Sequence, residues 1–352
     1  MKKLILPIAI ISLLASCAPK KEADNIKPIQ TYMAYQVPID EGKLLANAQS
    51  YFATLPEPAS FDNVKAQLGK KLYYETALSV NGKMNCNSCH MLDNYGVDNE
   101  PTSPGHEGKR GDRNSPTVYN AFFHIAQFWD GRAEDLAAQA KGPILNPVEM
   151  GIPDEATAVK NIKETPGYRD LFSKAYSGAD PITYDNIADA IGEFEKTLAT
   201  PSKFDNYLAG NTNALNPLEK QGLNNFINAG CITCHAGAGL GGHMYQKFGL
   251  IKGPYWDYTD SEKIDNGRAD VTGNEGEKYF FKVPSLRNIA KTAPYFHDGS
   301  VATLERAVKI MGITQLDKEL SNKEVESIVA FLKTLTGDIP VHALETKNLA
   351  SL

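Results

Sequence analysis

The sequence has no run of basic residues, no hydrophobic stretch long enough to cross a membrane, and no sustained alternation of apolar and polar residues. Its 352 residues include 36 Lys and Arg against 42 Asp and Glu, which gives a formal net charge of −6. Nucleic-acid-binding domains usually present a clustered basic surface, so that class is disfavoured. Without the alternation a β-rich fold is disfavoured too, and the helical spacing of apolar residues dominates.

The N-terminal residues have the pattern of an export signal. Lys2-Lys3 precede a short apolar stretch, Leu4–Ala15, and Cys17 follows where a bacterial lipoprotein is cleaved and lipidated. We predict a signal peptide over residues 1–16 and a tether over residues 17–40. A lipid on Cys17 would attach the protein to a membrane in the periplasm or cell envelope. The alternative is an ordinary secretory signal, with Cys17 as an incidental thiol.

Cysteine is scarce, and four of the five cysteines lie in two copies of one motif, Cys86-Asn-Ser-Cys89-His90 and Cys231-Ile-Thr-Cys234-His235. Two cysteines at this spacing can bond both vinyl groups of one porphyrin, and the adjacent histidine can then bind the iron. In an exported protein, two disulfides or a redox-active cysteine pair are alternatives, and four thiolates could bind zinc. The histidine after each pair favours two covalently attached haem c groups.

In this interpretation, Cys86, Cys89, Cys231 and Cys234 attach the haems. His90 and His235 each bind one iron. The two motifs lie 145 positions apart along the chain, which suggests one domain around each haem.

Helix-capping patterns mark several element boundaries. Asn216, Pro217 and Glu219 have the spacing of an N-cap, a first helical residue and a capping-box partner. Thr183 precedes another apolar periodicity, and Ser321 with Glu324 precedes a third. The sequence therefore predicts helices around the motif in each half of the chain. It also predicts only a few short strands.

These patterns predict a mainly α protein with two cytochrome c-like domains, each with one covalently bound haem. The predicted domains are an N-terminal haem domain over residues 41–200 and a C-terminal haem domain over residues 201–340, followed by a tail over residues 341–352. Breaks in the helical pattern between residues 200 and 216 mark the predicted linker.

The second axial ligand of each iron decides what each haem can do. His106 lies in a glycine-rich loop, from which it could bind the first iron and also leave it, although a solvated surface histidine is the alternative. For the second iron, the candidates opposite the motif are His243, Met244, His297 and Met311. Methionine ligation raises the haem potential and suits electron transfer. His124 and His342 receive no role at this stage.

Several further segments of the sequence form a recognisable set. They are Asn114-Ser-Pro-Thr117, Phe128-Trp-Asp-Gly-Arg132, Gln139 with Asn146-Pro-Val-Glu-Met150, Lys282-Val-Pro-Ser-Leu-Arg-Asn288 and Thr292-Ala-Pro-Tyr-Phe-His-Asp-Gly299. With both haem motifs, they make the chain resemble the bacterial di-haem cytochrome c peroxidase family over roughly residues 50–335.

The resemblance implies roles for individual residues. His106 matches the distal histidine of the peroxidatic haem, and Glu149 matches the carboxylate that moves protons during peroxide cleavage. Gln139 would line the same pocket, and Trp129 would carry electrons between the haems. Met311 matches the axial methionine of the other haem. From the residues alone, Glu149 could equally be a helix-cap or surface charge, Trp129 a buried core aromatic and Met311 a core residue.

The resemblance also implies a calcium ion between the haem domains, bound by the Asn114 side chain and by the carbonyls of Thr292 and Pro294. It implies electron donation by a small c-type cytochrome or cupredoxin, with hydrogen peroxide reduced to water at the N-terminal haem. Members are commonly dimers, so a homodimer is expected.

Two other functions remain as alternatives. One is the related di-haem oxidase that matures a tryptophan-derived cofactor, which has tyrosine where Met311 stands here. The other is a plain two-haem electron carrier with no substrate, whose irons would stay six-coordinate in every redox state.

Overall fold

A computed structural model describes residues 39–345 of the chain. The predicted signal peptide, Cys17, the tether up to residue 38 and the tail from residue 346 lie outside the described residues. α-Helices and single-turn 3₁₀ helices make up nearly all of the regular secondary structure of the described residues. The α-helices are α1 Glu41–Tyr51, α2 Val64–Tyr73, α3 Leu136–Leu145, α4 Glu155–Glu164, α5 Tyr168–Ala175, α6 Tyr184–Glu195, α7 Lys203–Leu208, α8 Pro217–Ala229, α9 Ala269–Thr272, α10 Leu304–Leu316, α11 Asn322–Lys333 and α12 Val341–Leu344. Single-turn 3₁₀ helices are Thr76–Leu78, Cys86–Ser88, Leu92–Asn94, Ala121–Phe123, Thr212–Ala214, Cys231–Thr233, Tyr255–Asp257, Glu275–Glu277 and Ile289–Lys291.

The predicted helix caps are confirmed. At the start of α8, the Asn216 side chain accepts a hydrogen bond from the Glu219 backbone N–H (3.0 Å), and the Glu219 carboxylate accepts one from the Asn216 N–H (2.8 Å). Ser321 and Glu324 form the same reciprocal pair at the start of α11. Such pairs satisfy N–H groups that a helix leaves without partners in its first turn.

The regular β structure of the described residues is one short antiparallel pair. Strand β1 (Tyr245–Lys247) pairs with strand β2 (Phe280–Lys282), so that Tyr245 lies opposite Lys282. The expectation of few short strands is therefore confirmed.

Each half is built on a pair of crossing helices that meet at a glycine. A side chain at Gly69 of α2 would place its Cβ 1.7 Å from the Ala190 carbonyl oxygen of α6. A Cβ at Gly222 of α8 would lie 1.8 Å from the Ser327 carbonyl oxygen of α11. Only glycine permits so close an approach of two backbones. A haem-attachment motif follows the first helix of each pair, so the two halves share one local architecture.

Two apolar cores accompany these helix pairs. One contains buried residues between Leu68 and Leu198, and the other contains residues between Phe204 and Leu335. The first and last described helices each pack into the core of the opposite half. Leu44 and Ala48 of α1 belong to the C-terminal core, and Ala343 of α12 belongs to the N-terminal core. The domain limits stay a prediction. None of the described helices combines the length and apolarity that a membrane span requires.

Candidate haem sites

The two Cys-X-X-Cys-His motifs fold alike. Each begins with a single 3₁₀ turn, and each histidine donates its backbone N–H to the carbonyl of the first cysteine, at 3.0 Å for His90 and 2.9 Å for His235. The four motif cysteines are free and half-buried, so the alternative of two disulfides is not what the described residues show. Their Sγ atoms stand in for the thioether sulfurs of attached haems.

Both motif histidines are oriented by a backbone carbonyl. His235 Nδ1 lies 2.9 Å from the Leu240 oxygen, and His90 Nδ1 lies 3.4 Å from the Gly96 oxygen. Burial lowers the pKa of His90 and lowers that of His235 to about 4, so both rings are neutral at pH 7. A neutral ring whose Nδ1–H is bound to a carbonyl leaves Nε2 free to bind a metal.

A mainly apolar cleft in the C-terminal half brings the predicted ligands of the second iron together. Its lining includes Cys231, Cys234, His235 and Met311. His297 lines it as well, whereas His243 and Met244 are not among its lining residues in the described part of the chain.

The residues of this cleft fit a haem. The cleft contains buried polar atoms without a hydrogen-bond partner in the described chain, namely both ring nitrogens of His297 and Nε2 of His124. Buried polar groups normally have hydrogen-bond partners, so these atoms are suited to a polar group brought by a ligand.

In the N-terminal half, Glu149 lies in the turn that follows α3. Its Oε1 accepts a hydrogen bond from Asn146 Nδ2 at 2.7 Å. Burial raises the pKa of Glu149, while Asn146 and then Arg132 oppose the rise. The Glu149 charge reaches the first motif, since the pKa of the Cys89 thiol is raised to about 11, mainly by burial and also by Asp98 and Glu149. Gln139 lies half-buried on α3.

The His106 loop is attached to the Glu149 turn. The His106 backbone N–H donates to the Glu149 carbonyl at 2.8 Å, and Asn81 Nδ2 donates to the His106 carbonyl at 3.1 Å. The His106 ring passes close to Gly151, where a Cβ would lie 2.4 Å from Nε2. The structure therefore brings His106 and Glu149 to the same turn.

Trp129 lies where the two halves meet. Its Nε1–H donates to the Asn114 carbonyl at 2.9 Å, and its ring centroid is 6.5 Å from that of His297 in an edge-to-face arrangement. Trp129 also lines the C-terminal cleft. Arg113 reinforces this junction by pairing with Asp265 through both Nε and Nη2 and with Asp130 through Nη1.

The three residues predicted to bind calcium all lie at this junction. Asn114, Thr292 and Pro294 line the same cleft. Asn114 Nδ2 donates to the carbonyls of Glu100 (3.0 Å) and Pro101 (3.3 Å), which leaves its Oδ1 available to a cation. Among the described residues, no group of three or more His, Cys, Asp or Glu could hold a metal ion. A calcium site built from an amide oxygen and backbone carbonyls needs no such group.

Comparison with known proteins identifies the family. A sequence profile described as di-haem cytochrome c peroxidase matches residues 63–213. The chain is 50% identical over 302 residues to the cytochrome c551 peroxidase of Nitrosomonas europaea, covering 85% of this chain and 87% of that protein. It is 44% identical over 317 residues to the cytochrome c551 peroxidase of Pseudomonas aeruginosa, covering 88% and 91%. The chain belongs to the di-haem cytochrome c peroxidase family.

A solved structure agrees with this assignment. The crystal structure of a MauG-like protein associated with microbial copper homeostasis is 30% identical, with a TM-score of 0.70 over 81% of this chain and 94% of that chain. The predicted fold class, mainly α with two cytochrome c-like haem domains, is confirmed. Membership of the di-haem peroxidase family also confirms the prediction of a cytochrome c peroxidase and of two haem c groups.

Three residues at these sites were not predicted from the sequence. Asn146 lies three residues before Glu149 and begins one of the matching segments, but no role was predicted for it. Lys282 and His124 meet in the C-terminal cleft, with Nζ 3.2 Å from Nδ1. They are 158 positions apart in the chain, so no local pattern could have linked them.

Proposed function

We propose that this chain reduces hydrogen peroxide to water with electrons from a small c-type cytochrome or cupredoxin. Electrons enter the half that carries His235 and Met311 and are used in the half that carries His90. The names of the relatives at 50% and 44% identity support the reaction class. The contrast between a half-buried carboxylate near one motif and a methionine near the other supports the direction of electron flow.

The haems, when bound, each carry one of the two electrons that peroxide reduction needs. The chain supplies the proton chemistry. Peroxide must lose a proton from the oxygen that binds, and the departing oxygen must gain one to leave as water. Glu149 can do both, because burial brings its pKa closer to neutrality while Asn146 fixes one oxygen. This half-buried, hydrogen-bonded carboxylate near Cys89 is the observation that carries the proposal.

The remaining residues prepare or connect the site. His106 occupies a loop that hydrogen-bonds to the Glu149 turn, so its displacement and the exposure of the carboxylate are physically linked. Gln139 completes the pocket from α3. Trp129 bridges the halves between the Asn114 carbonyl and the His297 ring.

We also propose the calcium ion at Asn114, Thr292 and Pro294. There it would stiffen the junction of the halves, because carbonyl and amide oxygens together with waters suit calcium. A periplasmic enzyme anchored through a lipid on Cys17, and a homodimer, complete the proposal. Cys17 lies outside the described residues.

The test is steady-state peroxide turnover by the purified two-haem protein with a reduced donor. Glu149→Gln should lower kcat by about 10²–10⁴-fold, the usual contribution of a positioned acid–base group. Glu155→Gln, an exposed glutamate at the start of α4, is the control and should leave turnover unchanged. Normal turnover by Glu149→Gln would remove the proton-transfer role.

A spectrum of the half-reduced protein separates a peroxidase from a plain electron carrier. A peroxidase with a displaceable His106 should show a five-coordinate haem after one electron is added. Two six-coordinate haems at every stage, with no peroxide turnover, would identify a carrier and overturn the proposal.

A further inference from the structure

Lys282 is a buried cation in the C-terminal cleft. It is 7% exposed, and its side chain lines the same cleft as Cys234 and His235. No carboxylate of the described residues lies within 4.0 Å of Nζ, and burial lowers its pKa to about 8. A buried ammonium without a counter-charge is costly, so such groups normally have an anionic partner.

His124 is the neutral neighbour of this cation. A lysine ammonium can only donate, so Nδ1 of His124 accepts its hydrogen bond at 3.2 Å. Burial and the Lys282 charge both lower the pKa of His124, so its ring stays neutral and carries its one proton on Nε2. That Nε2 is buried and has no partner in the described chain.

The ring of His124 cannot easily turn to find another partner. It packs against Gly242, where a Cβ would lie 2.3 Å from Cδ2 and 3.0 Å from Nε2. The backbone also fixes Lys282, because it lies in β2 opposite Tyr245 and donates its N–H to the Trp129 carbonyl at 2.7 Å. Two anchored donors therefore lie in one cleft. The Lys282 ammonium lacks a counter-charge, and the His124 Nε2–H lacks an acceptor.

We propose that Lys282 and His124 form a carboxylate-binding site in the C-terminal cleft and that the two propionates of the second haem occupy it. The proposal rests on haem attachment at Cys231 and Cys234, which family membership implies, and not on the peroxide chemistry. The Nε2–H of His124 points away from the side of the ring that Lys282 contacts, so the two groups need two carboxylates. A haem carries two propionates, so one can supply the negative charge for the Lys282 ammonium and the other an acceptor for the His124 N–H.

The pair would then tune the haem as well as hold it. A positive charge beside a haem favours the reduced form, because reduction adds a negative charge. Removal of the Lys282 charge should therefore lower the midpoint potential of the C-terminal haem and leave that of the N-terminal haem nearly unchanged.

The experiment is a spectroelectrochemical titration of the holoprotein, without peroxide or donor. Lys282→Met should shift the reduced-to-oxidised equilibrium of the C-terminal haem about tenfold toward the oxidised form, equivalent to about 59 mV for one electron. His124→Leu should shift it in the same direction by less. Lys323→Met removes one exposed positive charge from the same half, and solvent screening should leave both potentials unchanged.

Haem content, measured on the same samples, covers the case in which Lys282→Met does not hold its second haem. Loss of that haem in Lys282→Met but not in Lys282→Arg would support the carboxylate site. If both Lys282 variants lose it, the His124→Leu potential decides. If Lys282→Met keeps its second haem and the potential of that haem is unchanged, the proposal is overturned. If both Lys282 variants lose the haem, an unchanged potential in His124→Leu overturns it. These measurements do not depend on the peroxide chemistry. If Glu149→Gln did not affect turnover, the expected potentials and haem contents would stay the same.

Discussion

The two halves of the molecule use the same scaffold and differ in what surrounds it. In both, two helices cross at a glycine, a 3₁₀ turn carries the cysteines, and a backbone carbonyl orients the histidine. Around the first motif lie a half-buried glutamate, Glu149, and a histidine loop, and around the second lie a methionine and a mainly apolar cleft. The shared parts attach a haem, whereas the parts that differ determine its chemistry.

Glu195 and Leu332, which occupy corresponding positions in the two helix pairs, show a further difference between the halves. In the N-terminal half, the glycine of α2 faces Ala190 and Phe194, and in the C-terminal half the glycine of α8 faces Ser327 and Phe331. Counting one residue further along each helix places Glu195 in the position that Leu332 holds in the other half. Leu332 lines the C-terminal cleft, so the corresponding position of the N-terminal half carries a buried acid.

The largest effect should come from breaking the shared scaffold. Gly69→Ala and Gly222→Ala each place a methyl group inside a backbone contact and should lower the free energy of unfolding by about 3 kcal/mol or more. Gly111→Ala is the control, since its Cβ would meet no atom within 4 Å. Thermal unfolding followed by haem absorption is the measurement. If only one of the two substitutions destabilised the protein, the halves would not share this crossing.

The next largest effect should be on the midpoint potential of one haem only. Met311→Ala removes the predicted axial ligand, so the C-terminal haem potential should fall by on the order of 0.1 V, given that axial ligands shift haem potentials over about 0.8 V. Met244→Ala, at the other methionine among the four sequence candidates, serves as the matched control and should leave the potential unchanged. The reverse result would assign the ligand to Met244.

A smaller effect should follow from loosening Glu149. Asn146→Ala removes the 2.7 Å hydrogen bond to its carboxylate and should lower peroxide turnover about tenfold, because hydrogen bonds to charged groups contribute about 1.5–3 kcal/mol. Asn161→Ala removes a 3.0 Å bond to the Ala77 carbonyl in the same half and should reduce stability without slowing turnover. Equal losses of turnover in both variants would show a general structural effect.

Local signals in the sequence predicted much of this molecule. The helix caps at Thr183, Asn216 and Ser321 could be predicted because each cap depends on residues within one turn. The haem motifs were equally local. The Asn146–Glu149 contact spans three residues, so its spacing was visible, although nothing in the sequence distinguished it from an ordinary turn.

What escaped prediction depends on contacts between distant segments. Lys282 and His124 meet only because β2 and the loop after Ala121–Phe123 converge on one cleft. The correspondence of Glu195 with Leu332 needs the helix crossings to be known. The crossover of α1 and α12 to the opposite cores likewise has no local signature, since an apolar helix face does not specify its partner.

The last test concerns Glu195, the acid that distinguishes the N-terminal helix pair. Burial raises its pKa to about 8 from an ordinary value of 4.5, so the folded protein binds this proton more tightly than the unfolded chain does. The stabilising contribution is therefore complete below about pH 4.5 and is lost as the pH rises toward 8. Glu195→Gln should flatten this part of the stability profile, measured by denaturant unfolding of the holoprotein between pH 5 and pH 8.

Glu164→Gln, at an exposed position of α4, should retain the wild-type slope. Glu195→Leu copies the C-terminal half and should also be flat, because it has no proton to lose. A slope that survives in both Glu195 variants would mean that another group causes it. The buried acid would then not be a point at which the two halves differ in their proton binding.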